Sequence, residues 1–194
     1  PHNLSELFDA CLHLIKFPNA SHNTVMKFVK GPDFPTGGVL IEPLSSIAES
    51  YERGRGSFRL RSKWMVEKLK AGLWQIVIYQ IPYQVQKSKI IEKIASLIDE
   101  KKLPMISDVS DESAEDIRII IEPRSRNLNP EMLMEALFKL TELETKIPIN
   151  LNFIDKNNLP GVRSLKECLN HWIDHRQEVL VRKSKYRLTK ISER

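Results

Sequence analysis

The sequence is poor in the residues that most chemistry needs. Cys11 and Cys168 are its only cysteines, with no CxxC spacing, so neither a disulfide framework nor a thiolate metal site is indicated. The expected compartment is a reducing cytoplasm. Glycine is scarce, with seven residues, and none falls in a GxxxxGK[ST] phosphate loop, so ATP chemistry is not expected within this chain. No apolar run approaches the roughly 18 residues of a membrane span, and no signal-peptide pattern is present. GxSxG, HExxH and a credible nucleophile–base pairing are also missing, so no catalytic residue is assigned. The opening Pro1-His2-Asn3-Leu4 carries no initiating methionine, which reads as a piece of a longer protein.

What remains is an ordinary globular composition, 41% hydrophobic and 28% charged, with apolar mass enough for a core. The net charge of +5 is unevenly spread. Residues 51–70 hold seven Lys/Arg against two acids, and residues 159–194 hold nine against four. The rest of the chain is therefore net acidic, and two basic segments need an explanation.

The pattern predicts an α+β fold, a mixed or antiparallel sheet with flanking helices. Asn3-Leu4-Ser5-Glu6 resembles a capping box before a helix reaching about Lys16, and a second helix is expected over 22–30. The turn-rich stretch 31–38 follows, then a short strand at 39–41 and a short helix at 45–52. Strands are expected at 57–66 and 73–80 with a hairpin turn near Ala71-Gly72, and an amphipathic helix over 86–100. Strands near 104–109 and 117–122 flank an acidic loop, Asp108–Asp116. Asn129-Pro130 opens a helix to about Thr141. Ile147, Ile149, Leu151 and Phe153 alternate as a strand, followed by a turn over 155–161. Ser164-Leu165-Lys166-Glu167 caps a helix running to the last residue, about 46 Å long at 1.5 Å per residue. Leu165, Trp172, Val179 and Tyr186 recur every seven residues there, the beginning of a coiled-coil seam. The domains expected are a helical segment (1–38), an α+β domain (39–160) and a helical arm (161–194).

The stretch YERGRGSFRLRSKW (51–64) is the most informative. On a continuous strand Arg59, Arg61 and Lys63 would share one face, with Phe58, Leu60 and Trp64 opposite. Residues two apart on a strand are roughly 6.5 Å apart, about two phosphate rises along one DNA strand. A solvated cationic face is common, so alternation alone leaves both readings open. No aromatic residue joins the cations, which favours duplex-backbone contact over base stacking. His171 and His175 have metal-ligand spacing but no third partner. Asp108, Asp111, Glu112, Glu115 and Asp116 do not follow the EF-hand pattern. No metal site is assigned.

Several stretches in order resemble the A subunit of bacterial type IIA topoisomerases: Pro1-His2-Asn3-Leu4, GPDFPTGG (31–38), YERGRGSFRLRS (51–62), IPYQVQKSKIIEKIA (81–95) and SDVSDES (107–113). The likeness covers essentially the whole chain. Lys101–Met105, Glu122–Ser125 and Ile149–Asn152 resemble the topoisomerase IV branch more than the gyrase branch. Val109-Ser110 departs from the Leu-Arg usual there. The resemblance implies a tower domain and the root of a coiled coil, with Arg53, Arg55, Arg59, Arg61, Lys63, His2 and Asn3 as candidate DNA contacts. It also implies an enzyme that cleaves duplex DNA through a tyrosine in an Arg-Tyr-Thr context. Tyr51, Tyr79, Tyr83 and Tyr186 lack that context, so this stretch is inactive alone. The DNA-wedging isoleucine of the family directly precedes Pro-His-Asn-Leu. The implied partners are double-stranded DNA, a B subunit that brings ATP and magnesium, and a second A subunit. The implied location is cytoplasmic and chromosome-associated, with peripheral membrane association also compatible. A gyrase tower, a free-standing RNA- or ribosome-binding module, and a structural spacer with a merely solubilising face are the competing readings.

Overall fold

A computed structural model describes residues 1–155 and 158–193. The chain forms two compact units, one from Pro1–Pro32, Glu42–Ser57 and Pro148–Arg194, the other from Asp33–Ile41 and Phe58–Ile147.

The first unit is mainly helical. Helix α1 (Leu4–Lys16) begins where the Asn3 carboxamide oxygen accepts from the Ser5 and Glu6 amides, and it buries Ala10, Cys11 and Leu14. The Glu6 carboxylate also accepts from the Lys30 amide at 3.2 Å. The second helix is shorter than expected: α2 covers only His22–Val25. Lys27 and Phe28 then bond back three residues, to Thr24 and Val25, a tight-turn pattern that leads into Gly31-Pro32, where the residue before proline is steered from helix. Helix α3 (Leu44–Arg53) buries Ile47 and Tyr51, one turn apart, and stops at Gly54 in the left-handed region.

Helix α6 (Leu165–Ser192) carries the predicted capping box in full, Ser164 and Glu167 satisfying each other's backbone. Its 28 residues span about 42 Å. Leu165 and Leu169 are buried at its root, whereas Leu180, Tyr186 and Leu188 are more than 60% exposed. The short strands β8 (Asn152–Ile154) and β9 (Pro160–Val162) pair antiparallel. The turn expected at 155–161 includes Lys156 and Asn157, which lie outside the described residues.

The second unit is built on the antiparallel sheet β3-β4-β6-β5, formed by Lys63–Lys68, Trp74–Gln80, Ile119–Pro123 and Ile106–Asp111. Ile76 and Ile78 of β4 stand opposite Ile121 and Ile119 of β6. Together with Ile90, Ile94 and Leu97 of α4 (Lys87–Asp99) and Leu133 and Leu137 of α5 (Pro130–Leu140), they form a closed core. The period of 3.6 in both helices supplies one apolar stripe each, which is what a sheet face can cover. The hairpin turn falls where expected, with Ala71 and Gly72 both at positive φ, the backbone twist that joins tight antiparallel strands. Asp108 and Asp111, expected in a loop, belong to β5.

A second sheet has the order β1-β2-β7, with β1 Val39–Leu40, β2 Arg55–Arg61 and β7 Glu144–Asn150. Strands β2 and β7 each run through a unit boundary. The expected continuous strand over 57–66 is therefore two strands. Ser62 separates them, its amide donating to the Leu143 carbonyl at 2.9 Å, after which β3 joins the other sheet. The strand expected through 147–153 is likewise split, at Leu151.

Candidate nucleic-acid interface

The seven candidate DNA contacts divide between the units. His2, Asn3, Arg53 and Arg55 belong to the first, and Arg59, Arg61 and Lys63 to the second. With the chain changing sheets at Ser62, the three cations of the second unit do not share one uninterrupted strand face.

In the first unit, a basic turn closes α3. Gly54 sits at φ 70, ψ 8, a conformation glycine adopts without the penalty of a Cβ. A Cβ there would lie 2.2 Å from the Arg163 carbonyl oxygen. The Gly54 carbonyl accepts from the Leu151 amide at 2.8 Å, and the Leu151 carbonyl accepts from the Arg163 amide at 3.1 Å. The Leu151 amide thus goes to this turn and its carbonyl to Arg163, so the strand breaks there. Arg53 is exposed and pairs with Glu49 one helical turn earlier. Arg55 is exposed and has no carboxylate partner among the described residues. A solvated cation without a partner is what a phosphate can use with least loss.

His2 comes to the same place through Tyr51, two residues before Arg53. Its Nε2 lies 2.6 Å from the Tyr51 hydroxyl, and burial holds its pKa below the ordinary histidine value. Burial pushes the Tyr51 phenol up, so it stays protonated. Asn3 is engaged as the α1 cap. Neither residue presents a spare charge; both fix the chain beside the turn.

In the second unit Arg61 is enclosed by its own protein. Its Nε donates to Glu144 at 2.5 Å, its Nη1 and Nη2 donate to Glu135 at 2.5 and 3.2 Å, and its guanidinium lies 4.4 Å above the Phe138 ring. Burial works against the charge, but the Glu144 and Glu135 hydrogen bonds carry its pKa above the ordinary arginine value. Arg61 is thereby a packing and pairing residue of this unit. Arg59 and Lys63 are half-buried, and Arg59 has a partner of its own.

Sequence reasoning missed Tyr51, Glu135 and Glu144. Tyr51 had a signal, since it stands four residues from Ile47 and both are buried on one face of α3. The two glutamates had none, being 74 and 83 residues away from Arg61.

The first unit also holds an apolar groove of about 690 Å³, lined chiefly by Leu4, Phe8, Leu151, Leu169 and Trp172 with His171 and His175 at its side. Among the described residues no three His, Cys, Asp or Glu side chains assemble as a metal-ligand set, and no helix is long and apolar enough to cross a membrane.

The geometry therefore defines an α+β protein with a rigid basic turn and a long, largely exposed helix. Residues 1–194 match the family of DNA gyrase/topoisomerase IV A subunits, and the chain belongs to that family. It is 52% identical to the A subunit of DNA topoisomerase 4 from Rickettsia prowazekii (strain Madrid E), over all of this chain and 26% of that protein. It is 50% identical to the A subunit of DNA topoisomerase 4 from Caulobacter vibrioides (strain ATCC 19089 / CIP 103742 / CB 15), with the same coverage. Identity to the DNA gyrase A subunit of Lawsonia intracellularis (strain PHE/MN1-00) is 38%, over all of this chain and 23% of that protein. The chain thus spans about a quarter of the length of the curated relatives it matches.

Proposed function

We propose that this chain is the DNA-gate portion of a topoisomerase IV A subunit: it supports binding and bending of the gate duplex during ATP-dependent double-strand passage. Residues 39–160 serve as the tower, 161–194 begin the coiled-coil arm, and 1–38 lead into them. The higher identity to topoisomerase IV A subunits than to a gyrase A subunit supports that branch. The work assigned to these residues is electrostatic. Bending a site of 20–30 base pairs costs on the order of 1–6 kcal/mol, and cations on its flanks offset that by releasing counterions from phosphates without reading bases. DNA cleavage belongs to other parts of the subunit. ATP and magnesium belong to a partner B subunit, and a second A subunit completes the assembly, which acts in the cytoplasm on the chromosome.

The observation that carries this reading is Arg55, exposed and without a carboxylate partner among the described residues, on a backbone clamped by Leu151 and Arg163. In the full-length subunit, Arg53→Ala/Arg55→Ala should weaken duplex binding and flatten its dependence on salt by about 0.9 for each phosphate no longer neutralised. Fluorescence anisotropy of a labelled duplex across a salt series measures both. Unchanged affinity and unchanged slope in this variant would sink the proposal for the turn.

A further inference from the structure

The contacts around the basic turn support one step more, which rests on reading that turn as a duplex contact. Tyr51 is 0% exposed, so it cannot touch DNA. Phenylalanine would fill the same space; what the hydroxyl supplies toward the start of the chain is its 2.6 Å bond to His2. The two rings also meet edge to face, their centroids 5.5 Å apart. His2 is followed directly by Asn3, whose side chain caps α1 through the Ser5 and Glu6 amides. That flank of the turn is tied to a helix.

The other flank is tied as firmly. Leu151 donates to Gly54, and Arg163 donates to Leu151. The Arg163 guanidinium pairs with Asp155 at 2.7 Å, and the Asp155 side chain is only 4% exposed. Arg53 and Arg55 are thus long flexible side chains on a backbone held from both sides. Fixing that backbone in advance lowers the ordering cost when the side chains engage a ligand.

We propose that Tyr51 is a positioning residue for duplex binding: through its hydroxyl bond to His2 it holds the Arg53–Gly54–Arg55 turn in the geometry that meets the phosphate backbone. The role differs from that of a contact residue in a measurable way. Removing a cation changes the number of counterions released, whereas removing a positioning bond leaves that number alone.

The test compares Tyr51→Phe, His2→Phe and the double variant in the full-length subunit, by duplex anisotropy across a salt series and by thermal melting. Loss of one hydrogen bond predicts binding weaker by about threefold to tenfold in Tyr51→Phe, with the salt slope unchanged. The double variant should bind no worse than the weaker single one, because both changes break the same bond. His2→Gln, which keeps a side-chain partner for the hydroxyl, should restore most of the affinity. If Tyr51→Phe melts early but binds as tightly as the parent below its melting range, Tyr51 is merely structural and the inference is overturned. Additive losses in the double variant overturn it as well. Should Tyr51→Phe fail to fold, the contrast between His2→Phe and His2→Gln decides. Arg53→Ala/Arg55→Ala separates the two levels of the argument. If it weakens binding and Tyr51→Phe does not, positioning fails alone; if it leaves binding and slope unchanged, the duplex reading of the turn fails.

Discussion

Arg55 and Arg61 stand at opposite ends of one strand and have opposite surroundings. Arg55 is exposed on a turn held by backbone contacts in the first unit. Arg61 is locked between Glu135 and Glu144 and stacked on Phe138 in the second. In sequence they are equivalent members of one cationic pattern. What separates them is carboxylates that arrive from 74 and 83 residues downstream. A cation's role is thus set by how far the fold encloses it. Where it is held half-buried between two carboxylates, as Arg61 is, the residue serves stability; where it stays solvated, as Arg55 does, the charge remains for a ligand.

The sharpest way to break this comparison is at the backbone that carries it. Gly54→Ala combines a left-handed conformation with a Cβ 2.2 Å from a carbonyl oxygen. Strained backbone costs about 1–3 kcal/mol and the overlap adds to it, so the chain should lose about 3 kcal/mol or more in urea denaturation. Gly72 of the second unit has the same sign of φ, 73°, but nothing within 4 Å of an added Cβ. Gly72→Ala should therefore cost only about 1–2 kcal/mol. Equal losses at the two positions would show that Gly54 is not clamped.

Next in size is the direct exchange of roles. Arg61→Ala leaves two carboxylates facing each other without their cation, and it removes a guanidinium from the Phe138 face. Its partners are partly solvated, so the loss should be about 1–3 kcal/mol rather than the larger cost of a fully buried pair. Arg55→Ala should change stability by no more than about 0.5 kcal/mol. Duplex binding should reverse the order, with Arg55→Ala the more damaging. Within the Arg61 cluster, Glu144→Gln should cost more than Glu135→Gln, because Glu144 is 20% exposed and Glu135 50%. Chemical denaturation of the four variants decides each ranking.

These contrasts mark what could be read from sequence. Local signals held: the Asn129-Pro130 helix start, the Ser164–Glu167 capping box, the Ala71-Gly72 hairpin and the apolar stripe of α4 all rest on residues within one turn or strand of each other. Non-local competition decided what was misread. The alternation from Phe58 to Trp64 gives no sign that the Ser62 amide prefers Leu143, 81 residues on, to either sheet ladder. Leu151 continues an apolar alternation, but its amide and carbonyl go to Gly54 and Arg163 instead. The candidate site was legible in kind, as a cluster of cations. Sorting its members required the glutamates and Tyr51, which no spacing rule connects to them.

The smallest effect concerns His2 and sharpens the first-unit side of the comparison. Burial lowers its folded-state pKa from 6.5, and Glu6 opposes that shift. The unfolded chain therefore binds the proton more readily than the folded one. The contribution of neutral His2 to stability is complete above about pH 6.5 and is lost as pH falls through the folded value. Carboxylates such as Glu167 and Asp111, held below their ordinary values by hydrogen bonds, also stabilise the fold at neutral pH. Their contributions disappear only below about pH 4.5, the ordinary glutamate value. Between pH 6.5 and 5, the difference between the parent chain and His2→Phe isolates the histidine. The melting temperature of the parent should fall across that window, and that of His2→Phe should fall less. Parallel curves would mean that His2 is not held neutral against Tyr51, and would remove one of the two ties on the basic turn.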